Sequence, residues 1–117
     1  MALNATALQV AAAAMAAAIV GASFHTADPG AAGTTAVITG GRVAITLTAT
    51  AGNITLSVPA AKTGLTPSAT VAFIGLWSTS TTGGTYYGSV SRTTGDTAVN
   101  ASGEYTIQAL SIPGSAT

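Results

Sequence analysis

The sequence predicts a mainly β domain: an antiparallel β-sandwich or small barrel with one N-terminal Ala-rich α-helix. Three observations carry this. Residues 10–18 are alanine apart from Val10 and Met15, and alanine is the strongest helix former. Beyond residue 22, apolar residues alternate with Thr and Ser in several segments, which is the period of a half-buried strand. Gly, Pro, Asn and Asp clusters interrupt these segments at short intervals, as in sandwiches and barrels. At 117 residues the chain is one domain, with the helix in residues 1–21 and the β domain in residues 22–117.

Asn4 or Thr6 can cap the helix, which is expected to run to about Val20 and to end at Gly21. Leu8, Met15 and Ile19 fall near one face, with Ala11 and Ala12 between them. A lone helix of this length is marginal in water, so it must pack on the sheet or on a neighbouring subunit. Residues 5–20 carry no charge, yet they do not read as a membrane segment. The first basic residue is Arg42, so the basic start of a signal peptide is missing. A run of alanines broken by Thr6 and Gln9 is also poor spanning material.

A short strand is expected at 22–26, closed by the turn Ala27-Asp28-Pro29-Gly30. There Pro29 presets φ and Gly30 takes the positive φ that follows. Residues 31–41 are a loop or short edge strand around Ala36-Val37-Ile38, with Gly40-Gly41 as a hairpin turn. The clearest strand is 43–50, where Val43, Ile45, Leu47 and Ala49 alternate with Ala44, Thr46, Thr48 and Thr50. Ala51-Gly52-Asn53 turns it into a hairpin partner carrying Ile54, Leu56 and Val58, and Pro59 stops the pairing. Residues 60–68 are expected to be a loop. Residues 70–77 are too short an apolar run for a helix and read as a buried central strand. A Ser/Thr/Gly turn at 78–84 includes Gly83-Gly84, another hairpin signal. Strand 85–91, a polar loop at 93–100 and a last strand at 105–112, ended by Pro113-Gly114, complete the chain.

Charge bounds the function. There are three acids (Asp28, Asp96, Glu104), three bases (Arg42, Lys62, Arg92), one histidine (His25) and no cysteine. Acid–base catalysis needs titratable groups gathered in a pocket, and nucleic-acid binding needs a basic face. The sequence offers neither, so no enzyme activity, catalytic residue, cofactor or nucleic-acid partner is expected. One His and one Asp fall short of the three or four ligands of a zinc site. His25, Asp28, Pro29 and Gly30 read as a structural turn, with His25 bonding backbone carbonyls or Asp28. A hydrolase built on His25 and Asp28 is the weaker reading, because a nucleophile needs an oriented base. Trp77, Tyr86 and Tyr87 are a core or hairpin cluster, or else a sugar-stacking platform. Period two puts Tyr86 and Tyr87 on opposite faces, so one is core and the other a surface anchor. Thr46, Thr48, Thr50 and Thr55 form a row that is equally an ordinary solvated sheet face or an adhesive one. Together Trp77, Tyr86, Tyr87, Thr46 and Thr48 are the interface candidates.

Three motifs occur in order: Phe24-His25-Thr26-Ala27-Asp28-Pro29-Gly30, then Phe73-Ile74-Gly75-Leu76-Trp77-Ser78, then Thr82-Gly83-Gly84-Thr85-Tyr86-Tyr87-Gly88. With the N-terminal helix, they make residues 1 to about 90 resemble a group of small tailed-bacteriophage virion proteins. Members of that group are labelled minor tail, tail-fibre or virion structural proteins, and some small virion proteins of this kind decorate the capsid. Positions 23 and 24 are Ser and Phe where the group's pattern has a β-branched residue or Ser and then Leu, and residues 92–117 extend beyond it. The resemblance implies a structural, non-enzymatic protein located in the virion. It implies partners among the major capsid protein or tail proteins of the same particle, and a homo-oligomer such as a trimer. The first expectation is a capsid decoration or minor capsid protein. The alternative is a minor tail or tail-fibre-associated protein that adheres to host glycan.

Overall fold

The computed structural model describes residues 4–92 and 95–112. Helix α1 spans Ala5–Ala18. Asn4 caps it, its side-chain oxygen accepting from the Ala7 N–H at 2.9 Å, which satisfies one of the donors left open in a first turn. The backbone turns extended at Ile19, and β1 (Gly21–His25) follows. Of the expected apolar face, Ala12 and Ile19 are buried and Leu8 is half-buried, but Met15 is 44% exposed. Ala16 packs inward in its place. The helix sits so close to the β hairpin beneath it that small alanines fill the contact.

Among the described residues nine short strands follow the helix: β1, β2 (Val43–Ala44), β3 (Leu47–Thr50), β4 (Asn53–Leu56), β5 (Ala60–Lys62), β6 (Phe73–Trp77), β7 (Tyr86–Ser91), β8 (Tyr105–Ile107) and β9 (Ser111–Ile112). They form three antiparallel sheets: β2-β1-β6-β7, β3-β4-β9 and β5-β8. The arrangement is sandwich-like and mainly β, as expected, and no barrel closes among the described residues. The helix lies over β3 and β4. One core joins all three sheets, with Phe24, Ile54, Val71, Ile74, Val99, Tyr105 and Ile107 at its centre. Phe24 and Tyr105 meet edge-to-face at 5.5 Å, a favoured aromatic geometry.

Several expected boundaries move, each for a local reason. The alternation over 43–50 is real, since Val43, Ile45 and Leu47 are buried and Ala44, Thr46 and Thr48 exposed. It is nonetheless two strands. Ala44 still pairs with β1 and Leu47 already pairs with β4, so the chain changes sheets at residues 45–46 without losing its inside–outside phase. The Ala51-Gly52 turn has φ +52° and +85° between the partners Thr50 and Asn53, the two-residue turn that suits a twisted hairpin. Val58, past the end of β4, is 61% exposed. The expected loop at 60–68 contains β5, which lacks β-branched residues and is held by β8. The expected last strand also divides. β8 pairs with β5 and β9 with β4, and the burial phase breaks at Gln108 and Ala109, both exposed. Gly40-Gly41 is not a hairpin turn. Val37 and Val43 both flank β1, opposite His25 and Ala22 respectively, so the two glycines lie in residues looped out along one sheet edge. The turn at Pro113-Gly114 lies outside the described residues.

Candidate functional site

The four-stranded sheet has two unlike faces. Ala22 and Phe24 of β1 and Ile74 and Leu76 of β6 point into the core. Alternation then turns Ser23 and His25 of β1 and Gly75 and Trp77 of β6 to the opposite face. That face is buried too: Ser23 is 3% exposed, His25 0% and Trp77 8%. Residues from the turns after β1 and β6 cover it.

A chain of polar contacts runs across this face. Trp77 Nε1–H donates to Ser23 Oγ at 2.8 Å. Ser23 Oγ lies 2.6 Å from His25 Nε2, and His25 Nδ1 lies 2.9 Å from the Thr35 carbonyl oxygen. A carbonyl only accepts, so Nδ1 carries the proton. Burial lowers the His25 pKa below its ordinary value, against the smaller raising pull of the Thr35 carbonyl. The ring is therefore neutral near pH 7, Nε2 is an acceptor, and the Ser23 hydroxyl donates to it. Every member is satisfied. Gly75 makes room: a Cβ there would collide with Ser23 Oγ and stand 2.9 Å from His25 Nε2.

This geometry places the turn residues separately. Asp28 does not meet His25. Its Oδ1 accepts from the Gly30 N–H at 2.8 Å, an Asx turn in which Gly30 has φ +77°. Pro29 is fully buried, and its carbonyl accepts from the Thr35 N–H at 3.0 Å, which brings Thr35 back over His25. The serine–imidazole pair resembles half of a hydrolytic site. Its oxygen, however, is also held by the Trp77 indole, and both residues lie under cover.

Above Trp77 lies Arg42. Its guanidinium carbon stands 3.6 Å from the Trp77 ring centroid, a cation–π contact. Its Nη1 donates into a ring of oxygens: the Thr79 carbonyl at 3.3 Å, Thr79 Oγ1 at 2.9 Å, the Gly83 carbonyl at 2.8 Å and the Thr81 carbonyl. Partial burial lowers its pKa from the ordinary arginine value, but a guanidinium stays charged throughout the accessible range. The loop after β6 is thereby wound around one cationic nitrogen. Gly84 and Gly83, both with φ near +80°, let the loop close on Ser78 through the Ser78 N–H to Thr85 carbonyl bond at 2.9 Å.

A β-bulge settles the two tyrosines. Leu76 pairs with Gly88 but Trp77 with Tyr86, so Tyr87 is the extra residue. Tyr86 packs on Trp77, with ring centroids 5.0 Å apart, and Gly33 lies against its other side. Tyr87 is 49% exposed. The Thr row lies on another sheet. Thr46, Thr48, Thr50 and Thr55 are all exposed, Thr48 pairs across with Thr55, and its hydroxyl bonds that of Ser57.

Between the Arg42 loop and the covering segment opens a cleft of about 480 Å³. Thr34, Val37, Arg42, Lys62, Thr81 and Thr82 line it, with Ser23 and Trp77 at its floor. The sequence did not expose this site, because it joins residues far apart in the chain. Among the described residues no cluster of three His, Cys, Asp or Glu could hold a metal, and no helix is long and apolar enough to cross a membrane. Compared with protein-family models, with curated proteins and with solved structures, the chain matches none.

Proposed function

We propose that the protein is a structural subunit of a tailed-bacteriophage virion, a capsid decoration or minor capsid protein held by protein–protein contacts. The observation that carries the assembly reading is the outer face of α1. Val10, Ala11, Ala13, Ala14, Met15, Ala17 and Ala18 are exposed, with Val10 67% and Met15 44% accessible, and Val20 just beyond at 38%. Nothing from Ala5 to Ala18 is charged. A helix on the surface of a solitary protein carries polar residues outward, and a contiguous apolar patch marks an interaction site. The uncharged Thr face of β3 and β4 adds a second flat surface beside it. The phage assignment comes from the three ordered motifs. In the fold they lie on the adjacent strands β1, β6 and β7, where their His25 and Trp77, with Ser23 just ahead of the first motif, build a buried face. They are thus residues that specify the fold and leave its outer surfaces free to bind.

The test is location and stoichiometry. Particles assembled with a tagged copy should carry the label over the whole head, in numbers comparable to the major capsid protein. Label confined to the tail in a few copies would overturn the decoration assignment, and purified particles without the protein would overturn the virion assignment.

A further inference from the structure

The cleft beside Arg42 gathers chemistry that neither the buried polar chain nor the helix face uses. Two of the three bases of the sequence, Arg42 and Lys62, line it, with hydroxyls from Thr34, Ser80, Thr81 and Thr82 and no carboxylate. Arg42 Nη1 is consumed by the oxygens of residues 79–83. Its Nε and Nη2 have no protein partner among the described residues. No buried side-chain nitrogen there goes unpaired, so this edge of the guanidinium reaches solvent. Nε and Nη2 form the fork that holds a carboxylate or phosphate by two parallel bonds. The fork is already fixed, stacked on Trp77 and anchored through Nη1, so binding would cost little side-chain entropy. Lys62 is half-buried beside Gly41, where a Cβ would stand 3.9 Å from its Nζ.

We infer that this cleft binds an acidic saccharide. The anionic group sits on the Nε–Nη2 edge of Arg42 with Lys62 as the second cation, and the sugar hydroxyls meet Ser80, Thr81 and Thr82. The volume, about 480 Å³, lies within the range of small-ligand sites, roughly 300–1,000 Å³. A sugar fits better than an acidic peptide. β2, the edge strand that begins next to Arg42, is two residues long and gives an extended chain little backbone to pair with, whereas hydroxyl side chains match hydroxyl-bearing ligands. The inference does not depend on where the protein sits in a particle.

Calorimetric titration of the full chain with four probes tests it: an oligogalacturonate, a sugar phosphate, cellobiose and poly-glutamate. At least one of the two anionic sugars should bind with a Kd of about 1 mM or tighter; which of them binds identifies the anion as carboxylate or phosphate. Affinity should fall with added salt and by about tenfold in Lys62→Gln. The Lys62 side chain makes no hydrogen bond among the described residues, and the backbone pairing of Lys62 with Tyr105 does not depend on it, so this variant keeps the fold. Arg42→Lys, which retains the charge but removes the fork, should weaken binding as well, while Thr48→Ala should not. Failure of both anionic sugars to bind, equal binding of cellobiose, equal binding of poly-glutamate, or unchanged affinity in Lys62→Gln and Arg42→Lys would each overturn the assignment.

Discussion

Ser23 holds two partners at once, accepting from Trp77 and donating to His25. Truncating it to alanine leaves a buried N–H and a buried imidazole nitrogen without partners. Each such orphan costs about 1–3 kcal/mol, so Ser23→Ala should lower stability by about 2–4 kcal/mol. The check is a lower urea midpoint with an unchanged slope. His25 gives this network a pH dependence whose sign follows from its lowered pKa. The unfolded chain, titrating near 6.5, binds a proton before the folded chain does. Stability is therefore complete above pH 6.5 and falls as pH drops toward the folded-state value, by at most about 1.4 kcal/mol per pH unit. The fall should be seen in urea midpoints taken across that window, and it should vanish in His25→Gln. Part of this site is readable in the sequence. Ser23 and His25 are two apart on a strand and so must share a face. Trp77, Thr35 and Arg42 reach them only through strand pairing and loop return, which no local pattern encodes.

Helix α1 is tied to the hairpin it covers by Gln9. Its side-chain oxygen accepts from the Gly52 N–H at 2.8 Å and its nitrogen donates to the Ala49 carbonyl at 3.2 Å. In sequence Gln9 is a polar interruption of an apolar run; in the fold it is a clamp on the β3–β4 turn. Gly52, with φ +85°, is needed both for the turn and for its approach to Leu8, where a Cβ would come within 3.1 Å. Gln9→Ala should cost about 1 kcal/mol and lower the melting temperature by about 4 °C, while the far-ultraviolet helix signal persists at low temperature. The strands show which information a sequence carries. Period two reports which side chains point inward, and it did so through residues 43–48 and again at 105–107. It is blind to which neighbour a strand pairs with, so both long alternating segments conceal a change of sheet. β5 left no signal at all: Ala60-Ala61-Lys62 has no strand preference of its own and is a strand because β8 lies beside it.

The whole molecule has six charged side chains in 117 residues and zero net charge. Neutral proteins lack the mutual repulsion that keeps most chains apart, and on the proposed assembly reading the apolar outer face of α1 is where copies of this chain meet. Association through such a face is driven by removing apolar surface from water, a term that Debye screening does not touch. Contacts made by ion pairs would weaken with salt. Here the self-association constant should hold or rise as sodium chloride increases and should rise further with sulfate, which strengthens apolar burial. Sedimentation velocity over a salt series would read this directly. Met15→Glu tests the surface responsible. Met15 is 44% exposed on a helix without charge, so a carboxylate there leaves the core intact but must be desolvated in any helix-mediated contact. The variant should melt within about 0.5 kcal/mol of the parent and sediment as a monomer at concentrations where the parent is assembled. A parent that dissociates as salt rises would move the contact from the helix to charged groups such as the cleft cations Arg42 and Lys62, and a Met15→Glu protein that assembles unchanged would move it to another face, such as the exposed Thr48, Thr50 and Thr55 of β3 and β4.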